Sequence, residues 1–107
     1  MAYYLVQAAY TPQSMAALVQ SPQDRPRMVR SVIEKLGGKV ESFWLAFGDY
    51  DVVLIVQMPN DQTMAAFSMA ASAGGGIRSI KTTPLIGWEE GVLAMKQAAQ
   101  AGYRPPG

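Results

Sequence analysis

Apolar residues run along this chain in two rhythms, one of period two and one close to four. The stretch "YYLVQAAY" at 3–10 is aromatic and aliphatic and stops at Thr11-Pro12, which predicts a first strand. Thr11 is suited to cap a helix with Pro12 in its first turn, but Pro22 and Pro26 both interrupt that helix further on. Beyond the break, Met28, Val29, Val32, Ile33 and Leu36 form one helical stripe that ends at Gly37-Gly38. A broken first helix is therefore expected. "KVESFWLAF" and "DVVLIVQM" then read as two strands of a hairpin joined around Gly48, Asp49 and Tyr50. Asn60 is placed to cap a helix through "DQTMAAFSMAASA", and Gly74-Gly75-Gly76 ends it. "IRSIKTTPLIGW" is a fourth strand whose Pro84 calls for an edge or a bend. Glu89 and Glu90 suit the first turn of a last helix closed by Gly102, and residues 103–107 are a loose tail behind a single domain over 1–102.

The order β-α-β-β-α-β-α is that of an α+β, ferredoxin-like βαββαβ fold with an extra C-terminal helix and a four-stranded antiparallel sheet. In the hairpin, Val52, Leu54 and Val56 point one way while Val53 and Ile55 point the other. On its partner strand Phe43, Leu45 and Phe47 oppose Trp44 and Ala46. Both faces of the sheet are apolar, yet two helices cover only one. The expectation is a homodimer packed sheet to sheet, a dimeric α/β barrel, with higher oligomers open to it.

Composition sharpens this picture mainly by exclusion. Of 107 residues, 50% are hydrophobic and only 16% charged, an apolar balance for a small domain that suits burial against a second subunit. The net charge of +1 leaves no electrostatic footprint for nucleic acid. Arg25, Arg27 and Arg30, followed by Lys35 and Lys39, read as the solvated face of a helix. There is no cysteine and no histidine, which rules out disulfides, thiolate nucleophiles, imidazole bases and zinc sites built on those ligands. No carboxylate loop of calcium-binding type is present, so neither a metal nor a cofactor is expected. The N-terminus has no signal-peptide pattern and no apolar run approaches the ~20 residues needed to span a bilayer, so a cytoplasmic protein without membrane contact is expected.

Three segments in order, "SPQDR", "GGKVESFWLAFGDYDVVLIVQMPND" and "SAGGGIRSIKT", resemble the GYD-domain family. The family's Gly-x-Tyr-Asp turn is matched by Gly48, Asp49, Tyr50 and Asp51, and the resemblance runs from about Tyr3 to Trp88. It implies a small bacterial α+β protein related to dimeric α/β barrels, and it brings no assigned activity. Where the family often has Trp-Thr at the end of the first strand, this chain has Tyr10-Thr11. Where it often has Glu after the central strand, this chain has Gln57, which keeps hydrogen-bonding capacity but no charge.

Candidate chemistry is sparse. Asp49 and Asp51 share a side of an extended chain, but a paired acid/base device needs one of them shielded from water, which a hairpin turn works against, and Asp favours turns for its local backbone bonds. Tyr50 is expected to pack over the hairpin. The glycines 74–76 follow a helix and lack the lysine of a phosphate loop, so they stop a helix. Arg78, with Lys81 nearby, offers a weak anion contact. The stronger set is dispersed: Tyr4, Tyr10, Trp44, Gln57 and Lys81, all on strands and able to line an apolar pocket with few polar groups. The competing reading is that the aromatics fill the core and Gln57 bonds locally. Met15, Met28, Met58, Met64, Met69 and Met95 suit a deformable interior. Three functions are compatible with these residues: a homo-oligomeric protein that binds a small apolar or aromatic ligand, a cofactor-independent enzyme of monooxygenase or isomerase type, or a purely structural or regulatory subunit.

Overall fold

The computed structural model describes residues 1–107, in the order β1 (Ala2–Tyr10), α1 (Pro12–Gln20), α2 (Arg25–Lys35), β2 (Lys39–Leu45), β3 (Val52–Met58), α3 (Asp61–Ala73), β4 (Ile77–Leu85) and α4 (Trp88–Gln100). The four strands form one sheet in the order β2-β3-β1-β4, and every neighbouring pair is antiparallel. This is the α+β, ferredoxin-like arrangement that the sequence predicts, with α4 appended.

Local signals account for most boundaries. Thr11 accepts from the Ser14 amide at the start of α1, and Pro12 stands in the first turn, where its missing N–H costs nothing. The expected break in the first helix is complete. Asp24 caps a separate helix α2 by accepting from the Arg27 amide, and Pro26 sits in that helix's first turn. Asn60 and Thr63 close a reciprocal capping box on α3. Pro84 lies on β4, an edge strand, as its lack of a donor requires.

The core lies between the sheet and α2 and α3. Tyr4, Val6, Leu54, Val56 and Met58 from the sheet meet Ile33, Met64 and Phe67 from the helices. Only 11 of 107 residues are buried, so the core is small and much apolar surface remains uncovered. The opposite sheet face carries Tyr3, Leu5 and Gln7 on β1 beside Val53, Ile55 and Gln57 on β3, as their register with the buried alternates dictates. The Trp44 side of β2 and the Lys81 side of β4 extend this face to both edges, and no element of the chain lies over it.

Two features depart from the sequence reading. β2 ends at Leu45 and β3 begins at Val52, so Ala46 and Phe47 are not strand residues and a connection over 46–51 replaces a tight turn. The ladder there also shifts register between Val40 and Ser42, at Glu41. The second departure is α4, which makes no substantial contact with any other element. It draws the molecule out to 56 × 35 × 22 Å with a radius of gyration of 17.1 Å, against about 13 Å for a compact domain of this size. No helix is long and apolar enough to cross a membrane.

Candidate functional site

A cavity of about 470 Å³ lies between the sheet and the helical layer, under α1, α2 and α3. Its floor is the helix-facing side of the sheet at Val6, Ala8, Val52, Leu54 and Ile80, and Leu18, Val29, Val32 and Phe67 wall it. Of its 21 lining residues 16 are hydrophobic. Small residues from three elements contribute to its lining: Ala8 on β1, Ala17 on α1, and Ala70 and Ala71 on α3. Protein interiors are otherwise packed as densely as organic crystals, so an apolar cavity of this size, open to solvent on one side, leaves its lining short of contacts.

Polar groups are confined to a few positions on this lining: Tyr10, Ser14, Gln23 and Arg25. Gln23 and Met28 are exposed, so the cavity opens to solvent where the chain passes from α1 to α2. Arg25 is the one charged side chain of the lining, and its guanidinium has no carboxylate partner; the single ion pair of the molecule joins Lys39 to Glu41 at 3.8 Å. The glycines after α3 form part of the rim. A Cβ on Gly76 would come within 2.9 Å of the Ser14 Oγ, and the Gly76 carbonyl accepts from the Thr11 amide at 3.0 Å. Glycine thus lets the link into β4 touch the start of α1, a role beyond stopping a helix.

The dispersed set of candidate residues divides between the two sides of the sheet. Tyr10 lines the cavity, and its backbone amide donates to the Asp51 carboxylate at 2.8 Å. Tyr4 is buried in the core, and its hydroxyl donates to Asp61. Trp44, Gln57 and Lys81 belong to the open face. Gln57 donates to Glu41 across the β2–β3 ladder, Trp44 pairs with Val53 and stands 65% exposed, and Lys81 lies opposite Gln7 with no ion pair. Arg78 is exposed at the start of β4, where the register with β1 shifts. In the hairpin connection Gly48 takes a positive φ of 135°, Asp49 is exposed and Tyr50 half-buried. Asp51 does more than mark a turn. Its amide donates to the Ala8 carbonyl and its carboxylate receives the Tyr10 amide, extending the β1–β3 ladder by one rung. No three carboxylates converge where they would hold a metal ion.

Sequence pattern does not single out Arg25, Gln23 or Ser14, because the arginines read as one solvated face. Ala8, Ala17, Ala70 and Ala71 line the cavity, but alanine is common on both faces of these elements, and no short window of sequence shows that these four share one lining.

The Tyr4–Asp61 contact has a measurable consequence. The hydrogen bond to Asp61, followed by burial and the nearby negative charge, raises the Tyr4 pKa above its ordinary value of 10.0. In the unfolded chain the phenol ionises at about 10. Above that pH the folded protein holds more proton than the unfolded one, so this contribution to stability is whole below about pH 10 and falls as pH rises through the folded-state value. Urea unfolding of wild type and Tyr4→Phe at pH 8 and pH 11 should show the wild-type advantage shrinking at the higher pH. An advantage unchanged between the two would mean that the hydroxyl is not held by Asp61.

Comparison with known proteins places this architecture. The GYD domain model matches residues 4–95, which takes in the sheet from Tyr4 onward, the cavity and the first part of α4. The chain belongs to the GYD-domain family. No curated protein matches this GYD domain. Among solved structures it is similar to the crystal structure of MtbAldR, with 15% identity and a TM-score of 0.55 over 80% of this chain and 52% of that one. The GYD domain thus spans about half the length of that protein, and the likeness is one of fold. A protein of unknown function from Nitrosomonas europaea is similar at 16% identity and a TM-score of 0.44, over 99% of this chain and 95% of that one.

Proposed function

We propose that this GYD domain is a small homodimeric binding protein that holds a compact apolar or aromatic molecule in the cavity between its sheet and helices. The observation that carries this reading is the cavity itself: about 470 Å³, walled by hydrophobic side chains, with its few polar groups at Tyr10, Ser14, Gln23 and Arg25. Ligand sites combine a mainly apolar wall with a few placed polar groups that set orientation, and volumes of roughly 300–1,000 Å³ are usual for them. In this reading Tyr10 is the strand residue that meets the ligand, while Trp44, Gln57 and Lys81 serve the other face.

The open face supports the homodimer. Leu5, Val53 and Ile55 at its centre, with Tyr3 and Trp44 toward its sides, form an apolar surface that antiparallel sheets do not normally leave to water. A second copy meeting it face to face would make a dimeric α/β barrel, with a cavity on the outer side of each sheet. A cytoplasmic setting belongs to the same reading.

Thermal unfolding against a panel of small aliphatic and aromatic compounds, neutral and acidic, tests the binding role. A ligand present at a hundredfold its Kd should stabilise the fold by about 2.7 kcal/mol, a rise of roughly 10–20 °C in Tm for a domain of this size. A flat panel, together with a refined structure whose cavity is closed by side chains, would overturn it. Sedimentation should give twice the 11.6 kDa chain mass at micromolar concentration, and a monomer there would overturn the dimer.

A further inference from the structure

We propose that α4 is an exchanged arm: each copy of the chain extends this helix along the outer edge strand, β2, of a second copy. The proposal rests on the homodimer proposed above and names a contact that pairing of the two sheets does not require.

Every residue of α4 except Gly91 is exposed, and no other element of its own subunit packs substantially against the helix. An isolated helix of this length is marginal in water, and most helices owe their stability to an apolar face packed on something else. α4 has such a face. Trp88, Val92, Met95 and Ala99 succeed one another at spacings of four, three and four, the repeat of a single stripe, while Glu89, Glu90, Gln97 and Gln100 fall away from it. Trp88 is 79% exposed and Met95 56%.

The chain also carries the surface this stripe lacks. β2 is an edge strand with one unpaired backbone side; Trp44 and Leu45 at its far end are 65% and 80% exposed, and Phe47, in the connection just beyond it, is 97% exposed. Natural sheets protect such edges, and one way is to lay a helix over them. Lengths match: α4 spans about 20 Å at 1.5 Å per residue, and the seven residues of β2 span about 23 Å. Charge matches as well. Glu89 and Glu90 open the helix without an ionic partner, and Lys39 opens β2 with only its long pair to Glu41. A two-fold axis parallel to the strands, running between two facing sheets, sets β4 of one copy over β2 of the other and keeps their ends aligned. α4 leaves β4 at the end of the sheet where β2 begins, because β2 runs parallel to β1 and β4 runs antiparallel to it. Its acidic turn then lies by the second copy's β2 start, where the lysine stands, and its stripe runs toward the exposed aromatics at the far end of that strand.

The absence of cysteine and the exposure of the stripe allow a direct test on the full chain. A benzophenone side chain is placed at Met95, and ordinary and heavy-isotope chains are unfolded and refolded together before irradiation. The expected product joins the Met95 peptide of one isotope to the peptide holding Trp44–Phe47 of the other. In parallel, Met95→Glu should weaken the dimer at least tenfold in sedimentation, with the unfolding curve of the dilute monomer unchanged. A dimer whose adducts stay within one isotope, or that forms no adduct, overturns the arm and leaves the sheet pairing standing. A chain that sediments as a monomer overturns both.

Discussion

Gly38→Ala should lower stability by about 3 kcal/mol, the upper part of the range for overpacking a core, and Tm by roughly 12–20 °C for a domain of this size. An added Cβ would run into the Met58 sulfur and lie 2.5 Å from the Gln57 carbonyl oxygen and 3.0 Å from Ile33 Cγ2. The methionine can swing aside, but the carbonyl belongs to the backbone of β3, and Ile33 is wholly buried. Relief therefore requires moving the end of α2 away from the sheet. Gly87→Ala supplies the control, since nothing lies within 4 Å of its added methyl. Thermal and urea unfolding of the two variants side by side should show a large loss for the first and almost none for the second. Equal effects would mean that the close approach of α2 to β3 is not as described.

Ala8→Phe should weaken ligand binding by roughly a hundredfold, about 2.7 kcal/mol, while leaving Tm unchanged or raised. Ala8 sits on the cavity floor in the middle of the sheet, with Val52 and Ile80 as its cross-strand neighbours. A phenyl ring there projects into the space a ligand would use and gains the packing that the void forgoes. The direction of the stability change is what decides. In a filled core the same substitution would cost about 1–3 kcal/mol, so a marked fall in Tm would show that the cavity is not there to fill. Measured on whichever compound raises the wild-type Tm, the pair of readouts separates blocking of a site from damage to the fold.

How far the sequence can be read depends on how far apart the cooperating residues are. Thr11, Asp24 and Asn60 each cap a helix through atoms three residues away, so their roles are legible in a short window. Gly37 is equally legible: its φ of 85° is the left-handed stop that a glycine after a helical stripe announces. Gly38 beside it is not, because its constraint comes from Gln57 and Met58 on another strand. Asp51 shows the same limit. Its position in the Gly-x-Tyr-Asp turn suggests a local bond, whereas its carboxylate receives the amide of Tyr10, 41 residues earlier.

By itself the sequence determined the order of the elements, the ends of the helices and the apolar residues on both sides of β3. These arise from a period of two or near four and from caps, which act within a few residues. Only the tertiary structure decided that Tyr10 and Arg25 line one cavity while Trp44, Gln57 and Lys81 stand on the other side of the sheet. It alone brought Ala8, Ala17 and Ala71 onto the lining of one cavity, and left the apolar stripe of α4 without a substantial partner. Those outcomes depend on which faces meet and how fully they fill, and packing between distant segments, rather than the pattern within any one of them, sets both.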